Sequence, residues 1–315
     1  MTASKTIKIF LASSIIVIGL FQFKRIFLGV KAVPVVEQES DIDDLLQQAQ
    51  SVMEDESDTI TARISKAKQI YEKANLLASK TDYDKEKYSH LLFDYAKFLY
   101  QYGLYRDSEA VWLRQIPLAE ELYGTEHEKT AKSYNYIGLV YDDQGNYPKA
   151  LEYFFKALKI DEKVLGADHP NTASTYNNIG LVYWKQGDYP KALNYYFKAL
   201  KIVEKVLGEE HPNTATSYNN IGEVYWKQGD YPKALEYFFK ALKIDEKVLG
   251  TDHPDTATSY NNIGVLYYTM KEYDKALKYL KKAQEILEKR LGSNHPNTQV
   301  TQRWIKKVQV AMGKG

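Results

Sequence analysis

The sequence predicts an all-α solenoid, a stack of helix pairs, on three observations. Five histidines, His127, His169, His211, His253 and His295, recur at a constant step of 42 residues. Blocks 169–210 and 211–252 are identical at 34 of 42 positions. Each block also holds two stretches of helical periodicity separated by a turn. A fixed period of this length marks a repeat architecture, in which a unit that cannot bury its own apolar face is stabilised by its neighbours.

Bulk composition narrows the function classes. With 44% hydrophobic and 26% charged residues over 315, the chain can build a continuous core. Its 42 basic and 41 acidic side chains nearly cancel, so no general attraction to nucleic acid is expected. Cysteine is absent, which excludes disulfides, thiolate nucleophiles and cysteine-ligated metals.

In chain order, residues 1–32 differ from everything that follows. Lys5, Lys8, Lys24, Arg25 and Lys31 surround an uncharged, mostly apolar run from Ile9 to Phe23. As a helix this run rises roughly 22 Å, short of a hydrocarbon core of about 30 Å. Snorkelling of Lys24 and Arg25, with apolar continuation through Val30, extends it. The favoured reading is a single-pass membrane anchor over residues 9–30. A signal peptide cleaved near Val30-Lys31-Ala32 stays open, and would leave an exported or periplasmic protein. So do a targeting segment and a buried helix. Positive charge on both sides leaves orientation unassigned. Residues 33–62 are rich in Glu and Asp and read as a solvated acidic spacer with a short helix around Ile42–Met53. Residues 63–126 carry weaker copies of the period.

Four regular blocks occupy residues 127–296. In block 169–210 the first helix covers about Thr172–Lys185, with Tyr176, Ile179, Gly180 and Tyr183 on one face. Gly187 stops it. Asp188 caps the second helix, and Pro190 sits in the first turn, where its missing N–H costs little. The second helix runs to about Leu207, with Ala192, Tyr196, Ala199, Leu200 and Val203 on one face, and Gly208 ends it. Gly180 and Ala192 leave room for the two helices to cross. Residues 297–315 form a single capping helix, with Val300, Trp304, Val308 and Ala311 on its apolar face.

The residues Tyr-Asn-Asn-Ile-Gly-x-Val-Tyr-Trp-Lys-Gln-Gly-Asp-Tyr-Pro-Lys-Ala-Leu, followed by Lys-Ala-Leu-Lys-Ile-x-Glu-Lys-Val-Leu-Gly and His-Pro-x-Thr-Ala, resemble the tetratricopeptide repeat in its 42-residue, kinesin light chain-like form. The resemblance is strong over 127–297, fair over 85–126 and weak before. It implies a right-handed superhelical solenoid whose first helices line a concave groove. The long heptad region that precedes the repeats in light chains is missing here, so motor transport is not implied.

By this resemblance the groove positions are Asn177, Asn178, Asn219, Asn220, Asn261 and Asn262, with Trp184, Lys185, Glu223, Trp226 and Lys227 beside them. Asparagine costs a little helix propensity, so a repeated pair asks for a reason. One reason is an amide ladder that bonds the backbone of an extended peptide; the other is a strut between neighbouring helices. The lysines favour a ligand with an acidic stretch. Block 127–168 departs from the pattern with Tyr136, Asp142 and Asp143, and this carboxylate pair reads as solvated at a helix end. The five histidines, one per block before a proline in four cases, read as parts of a turn rather than metal ligands. No phosphate loop or nucleophile motif is present. The sequence thus predicts a non-catalytic scaffold, without cofactor or metal, that binds a protein or peptide. The alternative is an assembly factor that packs on a folded partner or on itself and leaves the groove unused.

Overall fold

A computed structural model describes residues 35–313, and side chains from residue 40 onward. Among the described residues there are thirteen α-helices and no strand. The chain divides into two compact units at Tyr95/Ala96.

In the first unit, α1 (Val35–Glu54) packs on α2 (Ile60–Lys80), and α3 (Lys85–Gln101) begins. Helix α1 is a correction to the expected spacer, since it is longer than Ile42–Met53 and is not solvated all round. Ile42, Leu45 and Ala49 fall at helical spacing among the acids and are buried. Thr59 caps α2, and Arg63 Nη1 donates to the Met53 carbonyl at 2.8 Å, tying α2 to the end of α1. Tyr71 stacks on Tyr95 at 5.1 Å between centroids.

The second unit continues with α4 (Tyr105–Tyr123), α5 (Glu128–Asp143), α6 (Tyr147–Val164), α7 (Pro170–Lys185), α8 (Tyr189–Leu207), α9 (Pro212–Gln228), α10 (Tyr231–Val248), α11 (Pro254–Thr269), α12 (Tyr273–Leu291) and α13 (Pro296–Ala311). Each helix packs on the next, and the pairs α5–α6, α7–α8, α9–α10 and α11–α12 pack most extensively. First helices of successive pairs also touch, as α5 does α7. This is an all-α solenoid of tetratricopeptide-type helix pairs.

The local chemistry recurs with the period. His127, His169, His211, His253 and His295 are the N-caps of the first helices: each Nδ1 accepts the backbone N–H two residues on. Asn146, Asp188 and Asp230 cap the second helices. Thr130, Thr172, Thr214 and Thr256 are wholly buried, and each donates to the carbonyl of the glycine six residues back at 2.8–2.9 Å. Tyr134, Tyr176, Tyr218 and Tyr260 each donate to a glutamate 14 residues earlier, on the preceding helix. Lys163, Lys205, Lys247 and Lys289 pair with acids 37 residues earlier.

Helix crossing explains the buried glycines. A Cβ on Gly180 would fall 2.8 Å from the Tyr196 ring, and one on Gly222 would fall 2.7 Å from the Phe238 ring. Where Gly145, Gly187 and Gly229 adopt positive φ, the fourth block places Lys271 at φ 62. The capping helix differs in detail from expectation. Its buried residues are Thr298, Thr301 and Val308, while Val300 and Ala311 are exposed. The threonine positions inherited from the repeat set the helix's rotation.

Candidate functional site

The candidate face is built by the first helices α5, α7, α9 and α11. All six predicted asparagines lie on it and are half-buried. Their uses differ. Asn178 Nδ2 donates to Asn135 Oδ1 at 3.0 Å, joining α7 to α5. Thr301 on α13 donates to Asn261 Oδ1 at 3.2 Å. Asn177 Oδ1 and Asn219 Oδ1 are buried without a partner. Among the described residues Asn220 and Asn262, the counterparts of Asn178, make no hydrogen bond. The first asparagine of each pair is thus placed to accept from the next block, a role filled at two of four positions. Asn135 is recognisable in the sequence as the counterpart of Asn177, but its bond to Asn178 and the part played by Thr301 are not, because only side-chain direction reveals them.

Nearer the C-terminal end of the same helices runs a second row. Lys185 Nζ lies 2.9 Å from Asp142 Oδ2 and 3.8 Å from Asp143 Oδ1. Asp142 is only 4% exposed, which corrects the solvated reading; Asp143 in turn accepts from the Tyr100 hydroxyl at 2.9 Å. Burial pushes the Asp142 carboxyl up, and the Lys185 bond pulls against it. Lys185 is therefore neutralised within the protein, and of the two predicted lysines Lys227 is the one left to meet an acidic ligand. Lys227 is exposed, with its ammonium 6.0 Å from the Trp184 ring centroid and 5.6 Å from that of Trp226. Trp184 and Trp226 are half-buried, and the Trp184 Nε1 is buried without a partner.

Glu223 is half-buried on α9. Burial holds its carboxyl above the usual carboxylate range, and Lys227 pulls the other way. Among the described residues it has no hydrogen bond and no ion pair. Tyr196, on α8, is 3% exposed and makes no side-chain hydrogen bond among them.

Two hollows of about 230 and 240 Å³ lie elsewhere, between a turn and the second helix that follows it. One is lined by Lys156, Lys159 and Lys163, the other by Lys240, Lys243 and Lys247. Lysines at both are paired with Glu126, Glu152, Glu210 and Glu236, so these are largely compensated surfaces. Among the described residues no cluster of His, Asp or Glu converges as a metal site.

The predicted membrane segment at 9–30 lies outside the described residues; among those described, no helix is long and apolar enough to cross a membrane.

Comparison with known proteins agrees with the fold. The chain matches the tetratricopeptide repeat over residues 87–163, 143–205, 176–247 and 218–289. The structure of BtubC (BKLC) from P. vanneervenii is similar at 20% identity and a TM-score of 0.58, over 84% of this chain and 95% of that one. A putative kinesin light chain with nearly identical TPR-like repeats from Podosopora anserina is similar at 20% identity and 0.57, over 64% and 97%. The apo form of RapI is similar at 18% identity and 0.60, over 87% and 100%. At these identities the likeness is one of fold. No curated protein is similar enough to count as a relative. Matched over more than half its length and folded as the same stacked helix pairs, the chain belongs to the tetratricopeptide repeat family.

Proposed function

We propose that the face formed by α5, α7, α9 and α11 binds an extended segment of a partner protein. The observation that carries this reading is the unequal use of one repeated residue. Asn178 is spent on an internal bond, whereas Asn220 and Asn262 hold half-exposed amides with no internal partner. An amide offers two donors and an acceptor, enough to bond a peptide backbone without reading its sequence. Each such bond contributes about 0.5–1.5 kcal/mol net. Trp184, Trp226 and Lys227 flank the amides and supply aromatic and charged contacts. In this proposal the apolar run at 9–30 tethers the array to a membrane, so that the face is presented near a surface. Carbonate extraction of full-length protein tests the tether, and release into the soluble fraction would remove it.

The bond between Asn178 and Asn135, and that between Thr301 and Asn261, favour a second reading. In it the ladder is an internal strut and the array serves assembly. One experiment separates the two. Peptides selected on the full chain from a random display library are measured against an Asn220→Ala/Asn262→Ala variant. Groove binding predicts at least a fivefold loss of affinity with an unchanged thermal midpoint. Unchanged affinity with a lowered midpoint would leave only the strut.

A further inference from the structure

Charge is divided unevenly along the chain. Residues 33–58 hold nine acids and no base, and residues 289–315 hold six bases and no acid. The whole chain nevertheless has a net charge of +1, so copies of it carry almost no mutual repulsion. Helices α1 and α13 are the first and last helices described. Helices of the regular blocks pack on neighbours before and after them, whereas α1 packs on α2, and α13 packs on α12 with a small contact to α11. A further helix pair beyond α13 is blocked locally. Lys306 stands exposed at the place where Gly138, Gly180, Gly222 and Gly264 let a second helix cross.

We propose that the exposed face of α13 docks on the exposed face of α1 in a second copy of this chain. On α13, Val300, Arg303, Lys307 and Val310 follow one another at helical spacing, with Lys306 and Ala311 beside them. All six are exposed, Val310 at 68%. Arg303 and Lys306 make no hydrogen bond or ion pair among the described residues, whereas Lys289 and Arg290 are spent on Asp252. On α1 the side opposite the buried Ile42, Leu45 and Ala49 carries Asp43, Asp44, Gln47 and Glu54. These four are exposed, and the three acids make no ion pair among the described residues. The two faces thus match in sign, Arg303, Lys306 and Lys307 against Asp43, Asp44 and Glu54, and the valines give the contact an apolar part. The choice of a second copy rests on supply, since every copy brings one face of each sign in equal number. Such a contact is heterologous, so copies join in a row or close into a ring. The groove takes no part in it, and the two proposals stand or fall separately.

The test is sedimentation velocity on the full chain in a non-ionic detergent, which shields the apolar run at 9–30. Wild type should associate at about 50 mM salt, with a dissociation constant at least tenfold higher at about 300 mM. Two charge-reversed variants follow, Arg303→Glu/Lys306→Glu/Lys307→Glu on α13 and Asp43→Lys/Asp44→Lys/Glu54→Lys on α1. All six positions are exposed, and circular dichroism checks that each variant is folded. Each variant alone should associate at least tenfold more weakly than wild type, because its two faces now have the same sign. An equal mixture of the two should recover wild-type association, since every α13 face again meets an α1 face of opposite sign. Should a reversed variant unfold, Arg303→Gln/Lys306→Gln/Lys307→Gln takes its place, with the loss expected and without the recovery. A wild type that stays monomeric at low salt overturns the proposal and leaves the basic face to a foreign acidic partner. Variants that associate as tightly as wild type overturn it by placing the contact elsewhere. A mixture of folded reversed variants that fails to recover overturns the pairing of α13 with α1.

Discussion

Asp161 and Asp245 are 6% and 5% exposed, and each accepts from a hydroxyl on the following helix, Thr175 at 2.9 Å and Ser259 at 2.6 Å. The block between them has Val203 at the same position, and there Ser217 turns to the Asn213 carbonyl at 3.1 Å instead. The chain therefore contains its own estimate of what Asp245→Val would do. The substitution removes a hydrogen bond to a charged group, about 1.5–3 kcal/mol. It also removes a carboxylate held out of water, a cost of several kcal/mol, and adds buried methyls. Ser259 keeps an acceptor by turning to the carbonyl four residues back, as Ser217 does. The net expectation is a gain of about 1–3 kcal/mol at pH 7. The sign with pH follows from burial, which raises the Asp245 carboxyl, aided by Asp255 and opposed by Ser259 and His253. A carboxyl raised in the folded state favours folding most when protonated. Wild-type stability should fall as pH rises from about 4, the unfolded value, through the raised folded value. The advantage of the variant should grow over the same window. Urea unfolding of the full chain between pH 4 and 7.5, with Val203→Asp as the reverse control, measures this. A loss of more than about 1 kcal/mol at pH 7 in Asp245→Val, or a gap that does not vary with pH, would refute the reasoning and make the ionised carboxylate a stabilising strut.

Lys271→Gly should stabilise by about 1 kcal/mol in denaturant melts, because it removes a side chain from a left-handed backbone position that glycine occupies in the other blocks. Gly222→Ala should lose about 1–2 kcal/mol in the same assay: the new methyl meets the buried Phe238 ring and outweighs the gain in helix propensity. Lys185→Gln should cost about 1.5–3 kcal/mol by leaving the buried Asp142 carboxylate without its cation, read as a lower urea midpoint at unchanged slope. Deleting block 211–252 should leave a folded, helical and less stable array by circular dichroism; complete unfolding would contradict nearest-neighbour stabilisation.

Much of this was legible in the sequence, for identifiable reasons. The 42-residue period, the Asp188 cap and the Gly180 crossing are short-range or periodic features, and each is found in the structure. Helix α1 was harder to see, because Ile42, Leu45 and Ala49 are a thin apolar stripe inside an acidic run that also reads as spacer. The partner of Lys185 was hidden for another reason. Asp142 lies 43 residues away, and only side-chain direction reveals that the lysine reaches back to it. The same holds for Asn178 and Asn135, so the division of the ladder into struts and free amides had to come from coordinates.

The recurring bonds span fixed intervals: six residues for threonine to glycine carbonyl, 14 for tyrosine to glutamate, 37 for lysine to acid. Both partners of each bond recur at the same place in the regular blocks, so a duplicated or excised block leaves these pairs matched across its junctions. For the gene, unequal recombination then becomes a change in length that the fold absorbs, and the number of blocks is free to drift.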